Sequence, residues 1–266
     1  MAFGPIEQQF VKTGESAVWE LFHENSKMSR RERHTAFALP PSDETVVRAM
    51  NQLRTVKPYQ DFPKVALPQE LPASEKSLDE VLVGRESARR FQQGDLHLVE
   101  LAKALFMGYG ITRDNSDTHF PRPFRTIPSG GALYPLEIYV HATRVQGLEP
   151  GLYHYDPEDS SLDVLRVGDD SGILASSAFQ PELVQDAAAI LLVSAVFMRS
   201  TFKYGDRGYR FVLLEAGHLA QNVILTTREM GLAAVPLGGY VDREWDGYLG
   251  VDGLSESVVY ALLLGR

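Results

Sequence analysis

The sequence predicts an α+β domain, and three observations lead there. Segments with strand character, at 136–142, 188–197 and 257–264, are separated by loops, hairpins and helices of mixed length. One long helical pattern runs over 208–230 and is closed by Gly231. The 266 residues, 44% apolar and 23% charged, suit one large soluble domain, or a domain with an appended arm. The sheet is expected to be mixed and flanked by helices.

Residues 1–75 read as an N-terminal arm. Pro40, Pro41, Pro58, Pro63, Pro68 and Pro72 break any long element, and the runs Glu24-Asn25-Ser26-Lys27 and Arg30-Arg31-Glu32-Arg33 are polar and charged. Short helices are expected at 15–23 and 44–54. Such an arm packs on a body or a partner subunit rather than folding alone.

Residues 76–266 form the compact body. Ser77, with Glu80 three residues on, marks a capped helix start. Leu98, Leu101, Ala102, Leu105 and Phe106 recur at helical spacing within 96–109. Residues 113–131 are polar, contain proline and read as loop. Residues 151–155 and 162–167 make a hairpin around Asp156-Pro157-Glu158-Asp159. Short helices fill 170–187, a buried strand 188–197, and further strands 235–240 and 257–264.

Composition narrows the function. A net charge of −9 argues against a nucleic-acid surface. The absence of cysteine excludes disulfides, Cys–metal sites and thiol nucleophiles. The seven histidines are scattered without metal-ligand spacing. No Gly-x-Ser-x-Gly elbow is present. The longest apolar run, over 187–197, is too short to span a membrane. The first residues lack a secretory pattern, so a cytoplasmic protein is expected.

Several segments carry ligand-type groups. Arg85, Ser87 and Arg89 place two guanidinium groups and a hydroxyl within five residues, which suits a phosphate monoester. In Pro128-Ser129-Gly130-Gly131, adjacent glycines allow backbone amides to approach a flat ligand or an oxyanion. Leu237-Gly238-Gly239 could offer amides to a ring nitrogen. Arg266 could add a third positive charge to an anion site. Lys203 beside Tyr204 is a candidate proton-handling pair, because an ammonium favours a neighbouring phenolate. On the long helix, Glu215, His218 and Asn222 fall on one face. His218 reads as a hydrogen-bonded core histidine rather than a ligand.

Taken in order, these segments resemble the SagB/ThcOx-type dehydrogenase branch of the FMN-dependent nitroreductase superfamily. Arg85-x-Ser87-x-Arg89-x-Phe91 resembles the superfamily's flavin-phosphate motif. Pro128-Ser129-Gly130-Gly131-Ala132-Leu133-Tyr134-Pro135-Leu136-Glu137, Gly151-Leu152-Tyr153-His154-Tyr155-Asp156-Pro157 and Lys203-Tyr204-Gly205-x-Arg207-Gly208-Tyr209-Arg210 resemble the branch. So do Glu215-Ala216-Gly217-His218, Gln221-Asn222, Gly238-Gly239 and, in the arm, Phe22-His23-Glu24-Asn25-Ser26-Lys27. The resemblance implies a nitroreductase-like FMN-binding fold and a homodimer with two flavins at the subunit interface. It implies that Arg85, Ser87 and Arg89, joined by Arg266, hold the phosphate and ribityl chain. Ser129, Gly130 and Gly131, after Pro128, would cover the flavin ring from the partner subunit. Leu237, Gly238 and Gly239 would lie near flavin N5.

The implied chemistry is oxidation of an azoline ring to an azole, with oxygen as reoxidant. Tyr204, partly ionised, is the expected base and Lys203 its electrostatic partner; the reverse assignment stays open. The arm is short and Pro-rich for a peptide-recognition domain. The substrate, a peptide or carrier-bound azoline, is therefore expected to come from another protein, such as a cyclodehydratase or a peptide synthetase. Two alternatives are a nicotinamide-dependent nitro or quinone reductase of the same superfamily and a flavin-free scaffold.

Overall fold

A computed structural model describes residues 18–28, 44, 48, 52–53, 55–115 and 122–266. Its helices are α1 (Val18–Asn25), α2 (Leu78–Gly84), α3 (Leu98–Tyr109), α4 (Ser171–Ser176), α5 (Pro181–Asp186), α6 (Met198–Tyr204), α7 (Arg207–Glu229) and α8 (Asp242–Leu249). Its strands are β1 (Lys64–Ala66), β2 (Leu96–His97), β3 (Ile111–Arg113), β4 (Phe124–Arg125), β5 (Leu136–Ala142), β6 (Val145–Gln146), β7 (Gly151–Asp156), β8 (Ser161–Val167), β9 (Ala189–Val196), β10 (Ala233–Leu237) and β11 (Glu256–Gly265). The α+β class is as expected. The helix expected at 44–54 lies largely outside the described residues.

One seven-stranded sheet runs in the order β1-β8-β7-β5-β9-β11-β10. Its central strands β5 and β9 alternate between two apolar layers. Ile138, Val140, Leu191 and Val193 meet α3 and α7 through Leu101, Leu105, Val212 and Leu219. Tyr139, Ile190 and Leu192 meet Leu174, Val184 and Trp245 of α4, α5 and α8. Truncating one of these central side chains to alanine should cost about 2–5 kcal/mol.

The expectation of a mixed sheet needs correction. Every pairing in the seven-stranded sheet is antiparallel, and β2 with β6 is a separate two-stranded parallel pair. The expectation rested on connections of mixed length, some of them helical, but a helical connection does not force parallel pairing: α8 joins β10 to β11, which run antiparallel. With helices on both faces, the apolar runs of the central strands carry no direction either.

Ser77 caps α2 as expected: its Oγ accepts the Glu80 amide at 3.3 Å while Glu80 accepts the Ser77 amide at 2.8 Å. The stretch expected as loop at 113–131 contains part of the β3–β4 hairpin, with Arg113 opposite Phe124. Helix α8 was not expected; it seats Trp245 in the core, stacked on Tyr240 at 4.2 Å.

Part of the described arm lies against the body. Phe22 meets the Tyr209 ring edge-on at 5.4 Å, and Arg207 Nη1 donates to the Ser26 carbonyl at 2.9 Å. Lys57 Nζ reaches Glu256 at 2.8 Å and the Tyr139 hydroxyl at 2.9 Å. β1 closes one sheet edge against β8.

Helices α6 and α7 meet at a tight corner. A Cβ on Gly208 would lie 2.9 Å from the Thr201 Cα, so only glycine lets the helices approach this closely. At the start of α6, Arg199 Nη2 donates to Glu137 of β5 at 2.6 Å, anchoring the short helix to the sheet. Glu137 also accepts from the buried His154, which is bonded to Asp163 on its other side.

Candidate active site

Lys203 and Tyr204 occupy the last turn of α6 and point at the Ser129–Gly131 turn. Gly131 sits at φ +69°, in the left-handed region that favours glycine. A Cβ there would be 2.6 Å from the Tyr204 hydroxyl and 2.9 Å from Lys203 Nζ. The amine and the phenol thus converge on one backbone position. Phe211 of α7 backs the phenol, its ring edge-on at 5.0 Å. Pro128, Ser129, Gly131 and Lys203 line a cavity of about 700 Å³ together with Arg113, Phe124, Arg125 and Tyr134.

The turn is braced from beneath. Ser129 Oγ accepts the Tyr134 amide at 3.0 Å. Glu215 of α7, buried, accepts the Tyr109 hydroxyl at 3.1 Å. Burial pushes the Glu215 carboxyl up to about 7, against hydrogen bonds from Ser129 and Tyr109 and the nearby Arg125 charge. Asn222 bonds the Met107 carbonyl at 3.1 Å. His218, expected in the core, is exposed. Helical spacing set these three residues on one side, but the buried sector of α7 is narrower than their spread.

The electrostatics of the pair differ from expectation. Burial pushes the Lys203 ammonium down and the Tyr204 phenol up. The ammonium lies 5.4 Å from the phenol ring centroid, and loss of solvation at each group outweighs their attraction. The Tyr204 shift thus runs opposite to the lowering expected of a partly ionised phenol, while the Lys203 shift runs toward the base role left open for it.

A second cavity, of about 940 Å³, collects Arg85, Ser87, Arg89 and Arg266 as the sequence suggested. It adds Arg90 from the same turn and Arg228, with Thr227, from the end of α7. Arg85, Arg89 and Arg90 form no ion pair among the described residues. Arg266 lines the cavity, but its Nη2 lies 2.9 Å from Glu100 and its Nε donates to the Asp95 carbonyl at 2.7 Å. Its charge is thus already balanced.

Ala233–Val235 of β10 line the same cavity. Leu237 at the strand end is buried; Gly238 is exposed, with open space where a Cβ would stand. Gly239 lies against Phe179. The glycine pair lines neither cavity. The two cavities share no lining residue within one chain.

Sequence reasoning missed Arg113 and Arg125, and also Arg228. Arg113 and Arg125 sat in a stretch read as loop; the spacing between Arg228 and Arg85 holds no motif. Among the described residues no cluster of His, Asp or Glu could hold a metal ion.

Residues 82–266 match the family model described as "Nitroreductase family". MJ1384 of Methanocaldococcus jannaschii, which carries a nitroreductase name, is 40% identical over 170 residues, 64% of this chain and 82% of that protein. The microcin B17-processing protein McbC of Escherichia coli is 32% identical over 123 residues, 44% of this chain and 45% of that protein. The trifolitoxin-processing protein TfxB of Rhizobium leguminosarum bv. trifolii is 27% identical over 147 residues, 53% of this chain and 39% of that protein. The chain thus matches less than half the length of these two processing proteins. Among solved structures, a nitroreductase-named protein of Anabaena variabilis superposes with a TM-score of 0.69 at 23% identity, over 96% of this chain and 49% of that one. The E. coli microcin synthetase McbBCD complex superposes at 0.59 and 20% identity, over 100% of this chain and 98% of that one. A nitroreductase-named protein of Exiguobacterium sibiricum, solved in complex with FMN, superposes at 0.50 and 14% identity, over 73% of this chain and 90% of that one. These likenesses show the fold.

Proposed function

The chain belongs to the nitroreductase family of oxidoreductases, and from that premise we propose that it is an FMN-dependent dehydrogenase oxidising thiazoline or oxazoline rings to azoles in peptide natural-product assembly. One observation carries the reading: Lys203 and Tyr204 converge on Gly131 beside a cavity large enough for a five-membered ring. A simple hydride relay needs no such dedicated pair. The names of two relatives, which process microcin B17 and trifolitoxin, support a peptide substrate.

The second cavity fits FMN. Four guanidinium groups without ion pairs among the described residues, those of Arg85, Arg89, Arg90 and Arg228, and the hydroxyl residues Ser87 and Thr227 surround space sufficient for a phosphate dianion. Arg85, Ser87 and Arg89 would hold the phosphate, with Arg90 and Arg228 adding charge and Arg266 shaping the rim. When bound, FMN supplies a hydride acceptor, and oxygen is the final oxidant. Leu237, Gly238 and Gly239 would follow the flavin outward from the phosphate. Ser129, Gly130 and Gly131 of the partner subunit would cover its ring. The disjoint cavities favour a homodimer whose sites draw on both chains.

The chain's own residues handle the proton. The ring loses one C–H as a proton and another hydrogen as a hydride. Lys203, its ammonium form disfavoured by burial, is the base that takes the proton. Tyr204, held as phenol, donates a hydrogen bond to the charge that develops on the substrate. Residues 1–75 act as an arm on the 76–266 body. A cyclodehydratase or peptide synthetase would deliver the substrate, in the cytoplasm; no helix among the described residues is long and apolar enough to cross a membrane.

The test is direct. Purified protein should be yellow, release FMN on denaturation, and convert a thiazoline to a thiazole with loss of two hydrogens. Lys203→Met and Tyr204→Phe should keep the flavin and lose the conversion. Full activity in both variants would remove the pair from catalysis. The MJ1384 likeness favours a second reading, a nicotinamide-dependent nitro or quinone reductase. Rapid anaerobic bleaching by NADH or NADPH, without azoline turnover, would select it.

A further inference from the structure

Two cations line the cavity beside Lys203 and have no part in the proton transfer above: Arg113 and Arg125. Neither carboxylate residue type occurs among the described lining residues, although the chain as a whole carries a net charge of −9. Both guanidinium groups stay charged at any working pH. The cavity therefore remains positive even when Lys203 gives up its proton.

Arg125 is the more informative of the two. It is 5% exposed, with its guanidinium 4.2 Å from the Tyr109 ring centroid and 4.8 Å from that of Tyr134. Nη2 donates to the Thr55 carbonyl at 3.2 Å, whereas Nη1 has no hydrogen-bond partner among the described residues. The carboxylate that feels its charge, Glu215, is already bonded to Tyr109. A buried guanidinium with an unused donor is costly until an acceptor reaches it. Arg113 stands at the cavity's outer side, its guanidinium 5.0 Å from the Phe124 ring centroid. A guanidinium fork matches the planar, two-oxygen geometry of a carboxylate.

We propose that this cavity selects an anionic substrate: the ring to be oxidised bears a carboxylate, which Arg113 and Arg125 hold while Lys203 and Tyr204 address the ring C–H. The proposal rests on the azoline-oxidising reading and deepens it. It favours a ring at the carboxyl end of its peptide, or a free azoline acid, over a ring embedded in the middle of a neutral chain.

The experiment uses FMN-loaded protein and two matched pairs of compounds. Thiazole-4-carboxylate and thiazole-4-carboxamide cannot turn over and report binding alone by calorimetry. Thiazoline-4-carboxylate and its amide report KM and kcat. The acids should bind, and show a KM, roughly tenfold or more better than the amides. Arg113→Gln, at an exposed position, should abolish most of that preference. Equal affinity for acid and amide overturns the proposal, as does a preference that Arg113→Gln leaves intact. Stronger competition by inorganic phosphate than by acetate overturns the carboxylate assignment. If neither thiazoline is oxidised but the thiazole acid still outbinds its amide, the oxidase reading fails and the anion site stands.

Discussion

Replacing Gly131 with alanine tests the convergence on which the active-site reading depends. The residue sits at φ +69°, where a Cβ costs about 1–2 kcal/mol of backbone strain. The added carbon would lie 2.6 Å from the Tyr204 hydroxyl and 2.9 Å from Lys203 Nζ, roughly 1 Å inside ordinary van der Waals separation. Both atoms end flexible side chains, so they move aside rather than unfold the protein. The strain predicts a melting temperature lower by a few degrees for a chain of this size. A displacement near 1 Å at a reacting group predicts a kcat lower by about 100-fold. The assay is azole formation under saturating substrate, with flavin content and thermal unfolding measured on the same preparation. Gly250→Ala is the control, because Gly250 has φ +73° and open space where its Cβ would stand. It should lose similar stability and keep full activity. A Gly131→Ala protein that is stable, flavin-loaded and as fast as the wild type would refute the convergence.

Three further outcomes follow from the charges. Because burial disfavours the Lys203 ammonium, kcat should rise with pH through a midpoint below the ordinary lysine value, and a pH-rate profile of Lys203→Met should lose that step. Burial opposes the charge on both His154 and Glu137. Even so, Asp163 and Glu137 hold the His154 pKa up, while His154 and Arg199 hold the Glu137 pKa down. The His154 contribution is complete below the unfolded histidine value and is lost as pH rises through the raised one. The Glu137 contribution is complete above the unfolded glutamate value and is lost as pH falls through the lowered one. Wild type should therefore exceed His154→Gln in melting temperature by most between about pH 4.5 and 6.5. Arg89→Glu should yield a colourless protein with a fold unchanged by circular dichroism, since it reverses a charge in the phosphate cavity.

Motif-bearing segments were legible because each is local. The Ser77 cap, the hairpin at β7 and β8, the long helix and the Arg85–Arg89 turn all rest on neighbours within a few residues. Strand direction was not legible, because an apolar run covered on both faces looks the same in either orientation. Short helices α6 and α8 hold too few turns for a periodic signal. The direction of the Tyr204 shift was not legible, because adjacency to Lys203 states an attraction but not how much water the phenol loses. Arg113 and Arg125 reach the site through a hairpin far from Lys203 in sequence, and only the folded chain places their charges together.

The phosphate cavity and the Lys203 cavity draw on separate residues of one chain, so damage to either leaves the other whole. In a dimer whose sites each combine one cavity from each subunit, two inactive variants can rescue one another. Arg89→Glu mixed with Lys203→Met would produce mixed dimers with one doubly damaged site and one intact site. Random reassortment of equal amounts would restore about a quarter of wild-type activity, in a single concentration-dependent step. In a cell carrying both alleles, complementation would then arise between two copies that are each silent alone.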